Sequence, residues 1–174
     1  MSLSLVNGLN VLIPNVSFSG DLRLNDERSY EAIVILNEGI EKPSFEDVYN
    51  EALDIYRKEK TVEINLKTSD MIENDFSFSL KPDLVFHMDL VFQFNVQTLF
   101  SQRDLLTYPY SLKISSDSKG TPVIMTIEDA NEFISFQSEA LHYIQTCIHT
   151  GVAEKMKIST MTEEELDNYI DPRG

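Results

Sequence analysis

The sequence predicts an α+β fold, in which a mixed or antiparallel β-sheet is accompanied by one helix in the N-terminal half and a helical hairpin at the C-terminus. Apolar residues repeat at helical spacing over 45–56 and alternate with polar residues at several places over 62–96. They return to helical spacing from residue 130 onward. A run of strands followed by a run of helices is typical of this fold class.

The first sixty residues are predicted to hold an extended arm, a strand and a helix. Residues 1–27 are interrupted by glycine and proline, and we expect them to be extended. Residues 29–36, SYEAIVIL, are rich in β-branched side chains and predict a strand. Ser44 can cap a helix, and the apolar stripe after it predicts one that ends near the basic residues 57–60.

The middle of the chain is predicted to be mostly strand. Residues 62–66 and 76–80 alternate between apolar and polar side chains, as half-buried strands do. Residues 84–96, LVFHMDLVFQFNV, are partly apolar on both faces, which predicts a central strand or one buried in an interface. A short helix is expected within residues 98–106.

The C-terminal region carries clearer local signals. Residues 112–115 and 122–125 flank the turn sequence SDSKGT and predict a β-hairpin. A capping box formed by Thr126 and Asp129 predicts the start of a long helix that ends at Gly151, and Thr162-x-x-Glu165 predicts a second start. No repeat or long linker divides the chain, so we expect one domain over 1–174. Its parts are an extended arm (1–27), strand–helix–strands (28–100), and a hairpin with C-terminal helices (101–174).

The charge balance limits the possible partners. The chain has a formal net charge of −15, from 29 acidic and 14 basic residues. Because nucleic acids and anionic membranes are bound mainly through Lys and Arg, this balance disfavours both. No apolar run approaches the roughly 18–20 residues needed to span a bilayer, and the first residues make a poor signal peptide. Cys147 is the only cysteine, which excludes an intrachain disulfide and suits a reducing compartment.

Motifs for catalysis or cofactor binding are missing from the sequence. It contains no phosphate-binding glycine loop and no nucleophile elbow. His87 and Asp89 could face one side of the expected strand, but two ligands are too few to hold a metal. Carboxylates cluster at predicted helix starts, where the helix dipole explains them. We therefore predict a non-enzymatic protein with no catalytic residues, no cofactor and no metal.

Aromatic residues crowd the middle of the chain and predict a core or a protein–protein interface. Stacking platforms for single-stranded nucleic acid lie among basic side chains, whereas the neighbours here include Asp75, Asp83 and Asp89. We expect the segments 84–96 and 126–148 to supply both the core and an interface. The residues predicted at this interface are Phe86, Leu90, Phe92, Phe94, Phe133, Leu141 and Ile144.

Residues 110–170 carry a recognisable order of motifs. A polar hairpin around Gly120-Thr121 precedes a helix opened by Thr126-x-x-Asp129, which contains His142-x-x-Gln145-x-Cys147, and Thr162-Glu-Glu-Glu-Leu166 opens a short helix. This order resembles an uncharacterised domain found at the C-terminal end of many phage tail-fibre and tail-associated proteins. That domain has alanine-rich spacing in its helix and no Tyr108-Pro109-Tyr110 step, and this chain departs from it in both. Alternatively, His142, Gln145 and Cys147 lie on an ordinary amphipathic helix.

The resemblance implies a structural or assembly component of a bacteriophage tail, such as a tail-fibre or baseplate-associated connector. Such a protein is made in the host bacterial cytoplasm and resides in the virion tail. Its expected partners are other tail proteins, in a homo-oligomer or a symmetric assembly, and neither nucleic acid nor membrane. Two alternatives stay open, which are a tail-fibre assembly chaperone absent from the mature particle and an acidic decoy that mimics DNA and binds a host factor.

Overall fold

A computed structural model describes residues 2–22 and 25–173. The helices are α1 (Leu5–Leu12), α2 (Glu27–Ala32), α3 (Phe45–Asn74), α4 (Leu90–Ser101), α5 (Ala130–Ile158) and α6 (Glu163–Asp167), with a 3₁₀ turn over Arg103–Leu105. Strands β1 (Phe18–Ser19) and β2 (Val34–Ile35) pair antiparallel, and β3 (Tyr110–Ser116) pairs antiparallel with β4 (Pro122–Ile127). The predicted α+β class is confirmed. None of the described helices is long and apolar enough to cross a membrane.

The chain forms two compact units, where the sequence predicted one domain over 1–174. The first unit contains residues 1–64 and 154–174, and the second contains residues 65–153. Each unit buries its own hydrophobic cluster. Both clusters are built from residues far apart in the chain, so neither core can be completed by one local segment.

Helix α1 packs against α3 in the core of the first unit. Leu5 and Leu9 of α1 are buried together with Val48 of α3. Gly8 lies at the closest approach, because a Cβ built there would be 2.3 Å from the carbonyl oxygen of Val48. The prediction of an extended arm over 1–27 is therefore wrong in its first part, while residues 23 and 24 lie outside the described residues. Gly8 does not break the chain but allows the two helices to approach closely.

Three tyrosines of the first unit donate hydrogen bonds to carboxylates. Tyr49 donates to Glu163 at 3.2 Å, and Tyr56 donates to Asp167 at 2.9 Å. These two bonds connect α3 to α6. Tyr169 donates to the buried carboxylate of Glu154 at 2.9 Å. Neutral phenols thus supply donors to acidic groups, which need a partner when they leave water.

The predicted start of the last helix is confirmed. The Thr162 backbone N–H donates to the Glu165 carboxylate at 2.8 Å, and the Thr162 hydroxyl accepts from the Glu165 backbone N–H. This capping box satisfies donors that the first turn of α6 leaves free. Leu166 follows it and is fully buried in the first core.

Aromatic rings build the core of the second unit around Phe136 of α5. Its ring centroid lies 5.3 Å from that of Phe78, 5.6 Å from that of Phe86 and 5.9 Å from that of Phe76. Most of these rings meet edge to face or tilted, which is the geometry that aromatic quadrupoles favour. The β3–β4 hairpin, which agrees with the predicted one, adds buried residues such as Ile114 and Ile127 to this core.

Several predicted strands are wrong. Residues 29–36 form α2 and then the short strand β2, and residues 62–66 lie inside α3. The basic residues expected to end α3 instead form ion pairs along it, such as Lys60 to Glu63 at 3.3 Å. Residues 76–80 do not form a strand. Phe76 and Phe78 are buried in the core of the second unit without the backbone pairing of a β-sheet. The N-terminal half therefore holds more than the one helix predicted.

The predicted strand over 84–96 is also wrong, because α4 begins inside it. The Asp89 carboxylate accepts a hydrogen bond from the Phe92 backbone N–H at 2.7 Å, which caps the helix. The residues before Asp89 are irregular, and two of their backbone N–H groups donate to the carbonyls of Ile114 and Glu73. The helix expected within 98–106 is represented by the end of α4 and the 3₁₀ turn. Helix α5 forms but continues past Gly151 to Ile158. The predicted capping box is wrong, because Thr126 belongs to β4 and Asp129 itself caps the helix by accepting from the backbone N–H groups of Asn131 and Glu132.

We expect Gly8→Ala to destabilise the first unit by about 1–3 kcal/mol, because the new methyl group cannot fit against the α3 backbone. Urea unfolding followed by circular dichroism measures this change. Asn7→Ala is the matched control, since Asn7 is exposed on the same helix and alanine favours helix. Equal stability of the two variants would contradict the close packing of α1 on α3.

We expect the protein to lose stability as the pH rises above 10. Burial, followed by the hydrogen bond to Asp167, raises the pKa of Tyr56 from 10.0 to about 12. The unfolded phenol therefore ionises first, and the stabilisation is complete below pH 10 and lost as the pH rises to about 12. Thermal unfolding over this range should show a shallower decline for Tyr56→Phe than for the wild type. Parallel curves would contradict the assignment.

Candidate protein-binding surface

Helices α4 and α5 enclose a groove in the second unit. Its volume is about 210 Å³. We call it the α4–α5 groove, and its lining residues are Met88, Phe92, Gln93, Val96, Gln97, Gln137, Ala140, Leu141 and Ile144. All of these residues except Met88 come from adjacent turns of α4 and α5, and six of the nine are apolar.

Amide side chains supply the polar groups of the groove. The Gln137 amide nitrogen donates to the Gln97 amide oxygen at 2.7 Å, which joins α5 to α4. The Gln93 amide nitrogen donates to the Met88 carbonyl oxygen at 2.7 Å. Amides neither ionise nor act as nucleophiles near neutral pH, so these groups suit binding rather than proton transfer.

Large apolar side chains of α4 lie exposed beside the groove. Leu90 is 80% exposed, Val91 is 68% exposed and Phe94 is 72% exposed. We call these three residues the α4 face. Single exposed apolar residues are normal on protein surfaces, but a cluster on one helix next to an apolar groove is typical of an interaction site.

A second set of exposed apolar residues runs along α5. Ile134, Leu141, Ile148 and Val152 are each between 43% and 47% exposed. We call these four residues the α5 stripe. Leu141 also lines the α4–α5 groove, so the stripe and the groove share a border.

The surface made by α4 and α5 is almost free of charge. A quarter of all residues in the chain are charged, yet α4 has none, and residues 133–153 of α5 contain a single acid, Glu139. The Glu139 carboxylate accepts hydrogen bonds from the Ser79 backbone N–H at 2.9 Å and from the Ser79 hydroxyl at 2.6 Å. A partner that covers this surface would therefore have few charges to remove from water.

The residues predicted at an interface fall into two groups. Phe86 and Phe133 are buried in the aromatic core and are not available to a partner. The other five lie on the α4 face or in the groove: Leu90, Phe92, Phe94, Leu141 and Ile144. The sequence reasoning missed Gln93, Val96, Gln97, Ile134 and Ile148 as surface or groove residues. If residues 90–101 are given the period of a helix instead of that of a strand, the sequence indicates the three residues on α4, which are Gln93, Val96 and Gln97.

All three histidines are exposed, and the single cysteine is buried. His87 is exposed, and its Nδ1 lies 3.1 Å from the Asn74 side-chain oxygen. His142 and Gln145 are exposed on α5, whereas Cys147 is buried. Within residues 2–22 and 25–173, no group of three or more His, Cys, Asp or Glu side chains could hold a metal ion. The Asp89 carboxylate caps α4.

The geometry of this region suits the binding of an apolar helix or a similar apolar surface. A groove between two helices, lined by apolar residues with a few amides, is a common docking site for such an element. No family model matches this chain, and neither does any curated protein or any solved structure.

We expect Phe94→Ser to change the free energy of unfolding by no more than about 0.5 kcal/mol, because Phe94 is exposed. In contrast, Phe133→Ala should cost about 3–5 kcal/mol, because it removes a fully buried ring from the aromatic core. Urea unfolding of both variants measures the difference. A large loss for Phe94→Ser would show that α4 is held by its outer face and would remove that face as a docking surface.

Proposed function

We propose that this chain is a non-enzymatic assembly protein that binds other proteins through the α4 face, the α4–α5 groove and the α5 stripe. The observation that carries the proposal is an apolar, nearly uncharged surface on a protein of net charge −15. Burial of charged groups is costly unless they find partners. The α4–α5 surface is therefore the place where a partner can dock with the smallest desolvation cost.

The remaining surface helps to restrict binding to this one region. The acidic residues elsewhere repel a second acidic surface and keep the protein in solution. Leu90 and Phe94 can each contribute about 1.5–3 kcal/mol when they are fully buried, before the cost of ordering the partner is subtracted. Selectivity for a partner therefore has two sources. Apolar side chains on α4 and α5 attract the partner, and the acidic residues around them repel other acidic surfaces.

We further propose a bacteriophage tail as the setting. The support is the resemblance of residues 110–170 to the domain found at the end of tail-fibre proteins. The β3–β4 hairpin, the long α5 and the capped α6 follow one another in the order that this domain has. His142 and Gln145, which belong to the shared spacing, are exposed on α5 and accessible to a partner.

Mass spectrometry of purified virions of the encoding phage tests this setting. We expect the chain to be present at a fixed copy number. If it is absent from particles but bound to tail-fibre protein in lysates, it is an assembly chaperone. If it is absent from particles and instead binds a basic host protein in a salt-sensitive manner, the tail proposal fails and the decoy is favoured.

A paired variant tests the binding surface within the same particles. We expect Leu90→Asp combined with Phe94→Asp to remove the chain from virions, because two buried carboxylates would lack partners in the docked state. Leu66→Asp is the matched control, since Leu66 is 67% exposed on α3 away from the groove. Urea unfolding should show that both proteins remain folded. Normal incorporation of the α4 variant would contradict the proposed surface.

A further inference from the structure

The exposed side chains of α5 follow a seven-residue repeat. Ile134, Leu141 and Ile148 are spaced by seven, and so are Ser138, Gln145 and Val152. All six are exposed, although the other face of the same helix is buried in the aromatic core. Alternating steps of four and three residues form the seam along which helices pack in coiled coils. We call these six residues the α5 seam.

We propose that the α5 seam binds the α5 seam of a second copy of this chain, with the two helices parallel and in register. This inference rests on the proposed function, because it identifies a second copy of the chain as the partner that binds the α5 part of the proposed surface. Two copies of net charge −15 repel each other over most of their surfaces. Within residues 133–153 the only acid is Glu139, so the seam is a place where two copies can meet without opposing carboxylates.

The side chains of the seam favour parallel pairing. In a parallel pair each residue meets its own counterpart, so Leu141 packs on Leu141 and the Gln145 amide bonds to the Gln145 amide. An antiparallel pair centred near residue 143 would place Leu141 against Gln145 and Ile148 against Ser138. That arrangement buries an amide against an apolar side chain and leaves its hydrogen bonds unmade, which is costly. The two polar pairs, Ser138 with Ser138 and Gln145 with Gln145, interrupt the apolar seam and so fix the register of the helices.

The position of the α4–α5 groove is consistent with a second α5 helix lying on the seam. Leu141 belongs to both the seam and the groove lining. A helix seated on the seam therefore borders the groove, to which α4 contributes Phe92, Gln93, Val96 and Gln97 and no charged residue. The apolar residues of α4 enlarge the area that a second copy can bury.

Light scattering coupled to size-exclusion chromatography of the full chain, from dilute to concentrated solution, tests self-association. We expect a reversible oligomer whose association constant falls at least tenfold in Ile148→Glu, which corresponds to about 1.4 kcal/mol. Ile148 is outside the core clusters, so this variant should unfold in urea at the wild-type midpoint. Leu66→Glu, the control on α3, should associate like the wild type.

Cysteine crosslinking tests the orientation. In a Cys147→Ala background that keeps Gln145, Ser138→Cys should form an interchain disulfide under mild oxidation, because parallel pairing brings the two Cα atoms within the roughly 4.4–6.8 Å that a disulfide needs. Antiparallel pairing would instead link Ser138→Cys only to Ile148→Cys in a mixture of the two variants.

Three results would overturn the inference: a folded monomer at every concentration, an oligomer unaffected by Ile148→Glu, or the antiparallel crosslink. A folded monomer that is nevertheless incorporated into virions through α4 would leave the proposed function standing. Loss of the chain from virions would remove the tail setting without affecting self-association.

Discussion

The excess of carboxylates is the constraint around which this structure is organised. With 29 acidic and 14 basic residues, most acids cannot find a cation. Many instead accept hydrogen bonds from neutral donors. Asp26, Asp89, Asp129 and Glu165 take part in capping helices, where free backbone N–H groups and the helix dipole favour a negative charge. Tyrosine phenols donate to Glu163 and Asp167 in the first unit, and Tyr169 donates to Glu154, which also pairs with Lys157 at 2.6 Å.

This distribution of acids leaves one surface nearly uncharged. Helix α4 and the middle of α5 carry apolar and amide side chains outward, and the one acid there, Glu139, is engaged by Ser79. The aromatic core around Phe136 holds the second unit together from the inner face of α5. The outer face of α5 is therefore not needed for folding of that core. It is available for a partner, and its seven-residue spacing is suited to a helix.

The secondary-structure elements that the sequence predicted correctly are those whose signals lie within a few neighbouring residues. The hairpin around Gly120, the helix after Asp129 and the capping box at Thr162 each combine a turn or cap residue with a matching period, and all three are present. Helix α4 was missed because residues 84–96 are apolar on both faces, and a short run of that kind fits a buried strand as well as a helix. Asp89 could have distinguished them, since an acid that interrupts an apolar run is a suitable helix cap.

The α4–α5 surface was only partly predictable for a related reason. Phe86 and Phe133 were expected at the interface together with Leu90 and Phe94, but both are buried in the aromatic core. The Phe86 ring packs on that of Phe136, 50 residues away, and the Phe133 ring packs on that of Phe100, 33 residues away. No local sequence pattern reports such separations. The exposed period of α5 is visible in the sequence, yet which of its faces is buried depends on the aromatic residues of 76–88 packing against it. The period of the sequence shows that α5 has distinct faces, but only the packing of the core shows which of these faces is exposed.

Hydroxyl-radical footprinting tests most directly whether the uncharged α4–α5 surface is the one that proteins cover. Each apolar side chain is oxidised according to its exposure, so the measurement compares individual residues in dilute and concentrated solutions of the full chain. We expect Leu141 and Ile148 to become protected as the concentration rises, while Leu66 and Leu105 stay equally reactive. Protection confined to Leu66 or Leu105, or no change at any of the four residues, would contradict this expectation.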